Sequence, residues 1–121
     1  MKHKKTGRVF GRVKNQRTAL IKTLLGSLIV HERINTTEAK AKELKDFIDQ
    51  LVNKAKVGRK NETRKVAIIR DLRTYIPLMA VKKLMSDFTD RFEGRTSGYV
   101  RVVKMESRKS DSARMAIIEF V

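Results

Sequence analysis

Cations set the chemistry open to this chain. Lys2, Lys4, Lys5, Arg8, Arg12, Lys14 and Arg17 put seven positive charges and no acid into the first seventeen residues. A second cluster, Arg59, Lys60, Arg64 and Lys65, falls at a predicted turn between two helices. A third, Arg95, Arg101, Lys104, Arg108 and Lys109, surrounds a predicted hairpin. Residues 58–75 and 95–109 each net +4, whereas residues 76–94 net zero and residues 110–121 net −1. Clustered charge of this kind neutralises polyanions, and arginine forks grip phosphate oxygens in a bidentate way. Solubility accounts for a lone surface lysine, but not for an acid-free run of seven cations.

The other chemistries lack their residues. There is no cysteine, which removes disulfides, thiolate metal sites and cysteine nucleophiles, and is what a reducing compartment permits without proving one. His3 and His31 are the only histidines, too few for an ordinary histidine metal site, and His31-Glu32 lacks the second histidine of a zinc-protease motif. The plain reading of His31 is a helix-end residue near the C-terminal dipole. No glycine pattern matches a phosphate-cradling loop. Asp46 and Asp49 lie among lysines and read as solvated pairing partners, not as an acid–base pair. These absences point away from an enzyme and from any cofactor, metal or small-molecule substrate.

The whole chain has 121 residues, 14.0 kDa and a formal charge of +16, enough for one domain with a modest core. So much charge on so small a body calls for an anionic partner. Nucleic acid is preferred to a membrane surface, since no segment joins a basic face to a Trp- or Phe-rich one. The opening Met1-Lys2-His3-Lys4-Lys5 leads into no apolar run, so it does not read as a secretory signal, and Leu24–Val30 is too short to span a bilayer. A cytoplasmic setting is the simplest reading. Phe10 is the only aromatic in the basic run, so backbone and shape reading of folded RNA is expected over base stacking.

These cations must be positioned by a scaffold, and the periodicity predicts one of α+β class: about four helices on a small mixed or antiparallel sheet. Residues 1–14 read as an extended basic arm that contacts RNA, with too little apolar surface to order itself. Residues 15–121 read as a single globular domain. Helix one should be capped by Asn15 and carry Leu20, Ile21, Leu24, Leu25, Leu28 and Ile29, with Gly26 allowing a close helix contact. Arg33–Thr37 suits a short strand. Thr37 then caps helix two, which buries Ala41, Leu44, Ile48, Leu51, Val52 and Ala55 and stops at Gly58. Asn61 should cap helix three, with Val66, Ile69 and Leu72 inward, Ile68 off the stripe and Arg70 outward. After Pro77, the spacing of Leu78, Val81, Met85, Phe88 and Phe92 predicts one helix ending at Gly94. Tyr99–Met105 and Arg114–Val121 then form a long hairpin. The second strand is apolar on both faces apart from Glu119, so it should be central. Tyr99 could stack on a base, but a core position is the better reading.

Several stretches resemble one family. His31-Glu32-Arg33-Ile34-Asn35-Thr36-Thr37 followed by Ala39-Lys40-Ala41-Lys42-Glu43-Leu44, the opening Met1-Lys2-His3-Lys4 with Gly11-Arg12, Arg91-Phe92 with Arg95, Gly98-Tyr99 and Arg101, and Met115-Ala116 through Ile118-Glu119 and Val121 are similar to the bacterial ribosomal protein numbered seventeen of the large subunit. Ser97 and Ser110 depart from family glycines, and Ile69–Pro77 matches poorly. The resemblance implies a structural constituent of the large subunit of a bacterial-type ribosome, with a processed organellar form as the alternative. It implies binding to 23S-type large-subunit ribosomal RNA on the solvent side near the nascent-chain exit region. It also implies contact with neighbouring ribosomal proteins, and neither catalysis nor a cofactor. Carried over by position, it selects Lys2, His3, Lys4, Arg8, Arg12 and Arg17 in the arm, and Arg95 and Arg101 at the sheet. Two other classes compete: a free RNA- or DNA-binding architectural or regulatory protein, for which no helix-turn-helix or zinc module is present, and an RNA-modifying enzyme, for which no nucleophile is present.

Overall fold

Helix boundaries in this chain are set by which backbone groups find partners. The computed structural model describes residues 13–121. Helix α1 spans Lys14–His31, β1 Arg33–Thr37, α2 Glu38–Lys60, α3 Lys65–Tyr75 and α4 Leu78–Leu84. A 3₁₀ helix then covers Asp87–Phe92, and strands β2 and β3 cover Val100–Lys104 and Met115–Phe120. The expected α+β class holds, and the sheet is antiparallel throughout, in the order β1-β3-β2. Strand β3 is central, as its two apolar faces predict. Its residues Ala116, Ile118 and Phe120 face the helices and are buried.

The core is one cluster. Leu25, Leu28 and Ile29 of α1, Leu44, Ile48 and Val52 of α2, Leu72 of α3 and Leu84 of α4 meet Ile118 of β3, all at most 1% exposed. At one end, Phe88, Phe92, Tyr99 and Phe120 pack largely edge to face, with neighbouring ring centroids 5.1–5.6 Å apart. Such ring pairs contribute about 0.5–1.5 kcal/mol each beyond area burial. Gly26 lies where α1 crosses Pro77. An alanine Cβ there would stand 2.7 Å from both Cδ and Cγ of the proline ring, so the glycine sets how closely α1 approaches α4.

Several local expectations are corrected. Asn15 does not cap α1: the carbonyl of Val13 already accepts from the Arg17 N–H at 2.9 Å, so the helix starts at Lys14 without a side-chain cap. Gly58 does not stop α2; it is buried against Ile68, and the helix continues to Lys60. Asn61 ends α2 instead of starting α3, its side chain accepting from the Thr63 N–H at 3.2 Å and hydroxyl at 2.6 Å. Val66 points outward at 60% exposure, whereas Ile68 and Ile69 are half-buried and Leu72 is fully buried. The single helix expected from Leu78 to Gly94 breaks at Met85–Ser86, where Ser86 caps the 3₁₀ turn by accepting from the Phe88 N–H at 3.4 Å. That break re-aims Phe88 and Phe92 at Phe120. Leu78, the first residue of the expected stripe, is 45% exposed.

Thr37 caps α2 as its type and position predict, accepting from the Lys40 N–H at 3.4 Å. The turn from α1 into β1 is a single residue, Glu32, at φ +66°. A left-handed glutamate is unfavourable by roughly 1–2 kcal/mol. Its carboxylate is held by Lys83 at 3.0 Å and by Arg91, which fixes the turn from two sides and holds its pKa below the usual glutamate range. His31 is the last, exposed residue of α1, as expected.

Candidate nucleic-acid interface

The basic arm, with Lys2, His3, Lys4, Lys5, Arg8 and Arg12, lies in residues 1–12, outside the described residues. It joins α1 at Val13. The first turn of α1 holds no acid, and instead carries exposed Lys14 and half-buried Arg17. Cations are poorly placed there, since the helix dipole already makes this end positive, at about 0.3–1 kcal/mol per charge. An anion outside the helix would reverse the sign of that interaction.

The second cluster divides. Arg59 donates to Asp90 at 3.1 Å, and Lys60 lies 3.7 Å from Glu93. Arg64, the N-cap of α3, has no carboxylate partner among the described residues, and neither do Lys65, Arg70 and Arg73. Val66, Arg70 and Arg73 recur at steps of four and three, so they share one outward face of α3. Arg70 was legible as outward-pointing in the sequence; Arg73 was not singled out. The one acid on α3, Asp71, is taken by Lys54 of α2 at 2.7 Å.

The hairpin cluster is mostly paired. Strand register places Glu119 between Arg33 of β1 and Arg101 of β2; one carboxylate oxygen accepts from Arg101 at 2.9 Å and the other lies 3.5 Å from Arg33 as an ion pair. Glu38 is shared in the same way between Lys42 at 2.9 Å and Lys104 at 3.7 Å, and Lys42 chiefly holds its pKa below the usual value. Arg108 grips Asp111 with two bonds of 3.0 and 2.8 Å, which, with the Ala113 N–H, pushes the Asp111 carboxyl down to about 2. Arg95 turns back to the Gly98 carbonyl at 3.4 Å. Lys109 is exposed and has no carboxylate partner among the described residues. Three carboxylates, Glu32, Glu38 and Glu119, therefore each hold two cations. Every such group keeps a net positive charge while its side chains are held in place, and exposed pairs of this kind contribute only about 0–1 kcal/mol to stability.

One sequence reading changes here and one holds. Asp49 is not a solvated pairing partner, for it accepts from the Tyr99 N–H at 3.4 Å. Tyr99 is fully buried, so it belongs to the core and does not stack on a base. The sequence reading also missed Lys56. Its ammonium donates to the carbonyls of Phe92 and Arg95 and to the Tyr99 hydroxyl at 2.9 Å, tying the 92–99 segment to α2. No group of three or more metal-ligating side chains occurs among the described residues, and no described helix is long and apolar enough to cross a membrane.

Comparison with known proteins places this small, cation-rich α+β fold in the class of ribosomal proteins. Residues 20–121 match the sequence profile of ribosomal protein L17. The chain is 48% identical, over 122 residues, to the large ribosomal subunit protein bL17 of Thermodesulfovibrio yellowstonii, covering 100% of this chain and 87% of that relative. It is 40% identical over 123 residues to the bL17 of Hydrogenobaculum sp., covering 100% of this chain and 99% of the relative. With the bL17 of Shouchella clausii it shares 41% over 116 residues, 92% of this chain and 95% of the relative. The chain belongs to the ribosomal protein L17 family, and is a ribosomal protein of the large subunit.

Proposed function

We propose that this protein is a structural, non-catalytic constituent of the large subunit that binds large-subunit ribosomal RNA through backbone and shape contacts, near the nascent-chain exit region of a cytoplasmic, bacterial-type ribosome. The observation that carries the reading is the surplus of cations without carboxylate partners on the outward face of α3, among the described residues. Arg64, Lys65, Arg70 and Arg73 have no such partner among the described residues, and the acid-free residues 1–12 enter the fold one turn before Arg17. Lys2, His3, Lys4, Lys5, Arg8, Arg12, Lys14 and Arg17 form the arm's share of the contact. Arg64, Arg70 and Arg73 form the central share. Arg59, Lys60, Arg95, Arg101, Lys104, Arg108 and Lys109 contribute at the periphery, most of them through pairs in which phosphate competes with a carboxylate. Neighbouring large-subunit proteins cover part of what remains.

Filter binding of the full chain to deproteinised large-subunit rRNA across a salt series tests this. The affinity should fall steeply, with a logarithmic slope of about 0.7–0.9 per phosphate neutralised. Arg64→Gln, Arg70→Gln and Arg73→Gln together should flatten that slope. Binding that ignores salt, or a chain that never sediments with large subunits at physiological salt, overturns the proposal.

A further inference from the structure

Four of the six aromatic side chains in residues 13–121 are buried together at one end of the core; the other two, Phe47 and Tyr75, line a single cavity. The cavity has a volume of about 310 Å³ and lies between α1, α2 and the end of α3. Ile21, Leu25 and Phe47 supply apolar wall, and Tyr75, at 43% exposure, is the most open aromatic of the described residues. Arg17 and Lys22 stand at its rim, and the Lys54 ammonium lies 4.7 Å from the centre of the Tyr75 ring. Thr18 and Thr74 also line it. Their hydroxyls donate to the Lys14 and Asp71 carbonyls at 3.0 and 2.7 Å, which leaves their oxygens as acceptors.

We infer that this cavity receives one unstacked nucleobase of ribosomal RNA, stacked on Tyr75, with the attached phosphate on the Arg17 and Lys22 rim. The inference rests on the RNA-binding reading proposed above and specifies a base contact within it. An aromatic wall beside cations and hydroxyl acceptors matches the three parts of a nucleotide: a π face, an anion and, on most bases, an exocyclic amine. Charge favours RNA over an apolar side chain of a neighbouring protein. Arg17 and Lys22 line the cavity against one acid, Glu43, and the Lys54 ammonium beside the Tyr75 ring is paired with Asp71 at 2.7 Å, so three cations stand against two acids and the surroundings stay net positive. Arg73, without a carboxylate partner among the described residues, is two residues from Tyr75, and in sequence the acid-free run of residues 1–12 ends shortly before Arg17.

Two measurements on the full chain with deproteinised large-subunit rRNA test it. In the first, ultraviolet crosslinking to unmodified rRNA, followed by peptide mass spectrometry, should place nucleotide on peptides containing Tyr75 or Phe47. In the second, Tyr75→Leu keeps apolar bulk at an already exposed position, so the fold is retained. It should weaken rRNA binding about tenfold, the lower range of a lost base stack, while leaving the salt slope unchanged. Unchanged affinity for Tyr75→Leu, with the α3 arginine variants still weakened, overturns the cavity assignment and leaves RNA binding standing. Loss of neither overturns both. If Tyr75→Leu binds naked rRNA normally but is lost from reconstituted subunits, the occupant is a protein side chain and the base assignment is wrong.

Discussion

Replacing Gly26 by alanine sets helix propensity against packing, and the structure decides between them. In the interior of a long helix, alanine is favoured over glycine by about 0.8–1.0 kcal/mol. At Gly26 the added methyl would meet Cδ and Cγ of Pro77, both at 2.7 Å. These atoms belong to a ring closed on the backbone, so they cannot rotate away, and α1 and α4 must separate. Overpacking of this kind costs about 1–3 kcal/mol. Two contacts with fixed ring atoms at 2.7 Å put this case in the upper part of that range, about 2–3 kcal/mol, so the net expectation is a loss of about 1–2 kcal/mol, measured by urea unfolding of the full chain with linear extrapolation. Gly58→Ala is the internal control. Its methyl would meet Ile68 Cγ2 at 2.9 Å and Ile68 Cβ and Met85 Cε at 3.1 Å. Met85 Cε is the end of a flexible side chain, and the Ile68 contacts ask α3 to give by a few tenths of an ångström, so propensity should offset most of the contact and the loss should stay below about 1 kcal/mol, less than at Gly26. If Gly26→Ala is as stable as the parent, or if Gly58→Ala is the more damaging of the two, the packing argument is wrong.

Two further predictions follow from particular side chains. Lys56→Met removes a charged donor shared by the Phe92 and Arg95 carbonyls and the Tyr99 hydroxyl. The Phe92 carbonyl keeps the Arg95 N–H and the Arg95 carbonyl keeps the Tyr99 hydroxyl, so the loss is that of bonds to a charged group, about 1.5–3 kcal/mol. Amide exchange should accelerate first in residues 92–99; uniform exchange across the fold would contradict the tether. The Asp111 carboxyl should titrate near 2, not at its ordinary 3.8, because Arg108 and the Ala113 N–H favour the charged form. A depressed carboxylate adds stability above its unfolded value and loses it as pH falls through the folded one. The effect is therefore confined to roughly pH 4 down to 2, and is small for so exposed a pair. NMR titration of Asp111 in the parent and in Arg108→Gln should show the midpoint rise in the variant; an unmoved midpoint refutes the pairing.

What could be read before the structure was whatever depends on near neighbours. Thr37 before an apolar periodic stretch fixed the start of α2, and two apolar faces fixed β3 as central. The interruption at Ser86 was hidden because Phe88 and Phe92 keep helical spacing, and only the distant Phe120 explains why the backbone turns instead. Val66 was assigned inward by the same logic of steps of three, but α2 packs on the Ile68 side of α3. For the basic surface, composition located the clusters and register decided their state. Nothing near Arg101 in sequence announces that Glu119 will sit opposite it, nor that Glu119 also serves Arg33. The cavity beside Tyr75 gathers residues from 17 to 75, so no local pattern marks it.

The order of the sheet has a bearing on how the protein is made. Its middle strand is supplied after both neighbours, and β1 and β2 never meet. Seventy-eight positions separate Thr37 from Met115, so at about 5–20 residues per second a growing chain holds β1 without a mate for roughly 4–16 s. Lone strand edges invite pairing with foreign chains. With one aliphatic residue among Arg33, Ile34, Asn35, Thr36 and Thr37, β1 is polar enough to wait. The helices can assemble during synthesis, while closure of the sheet comes last.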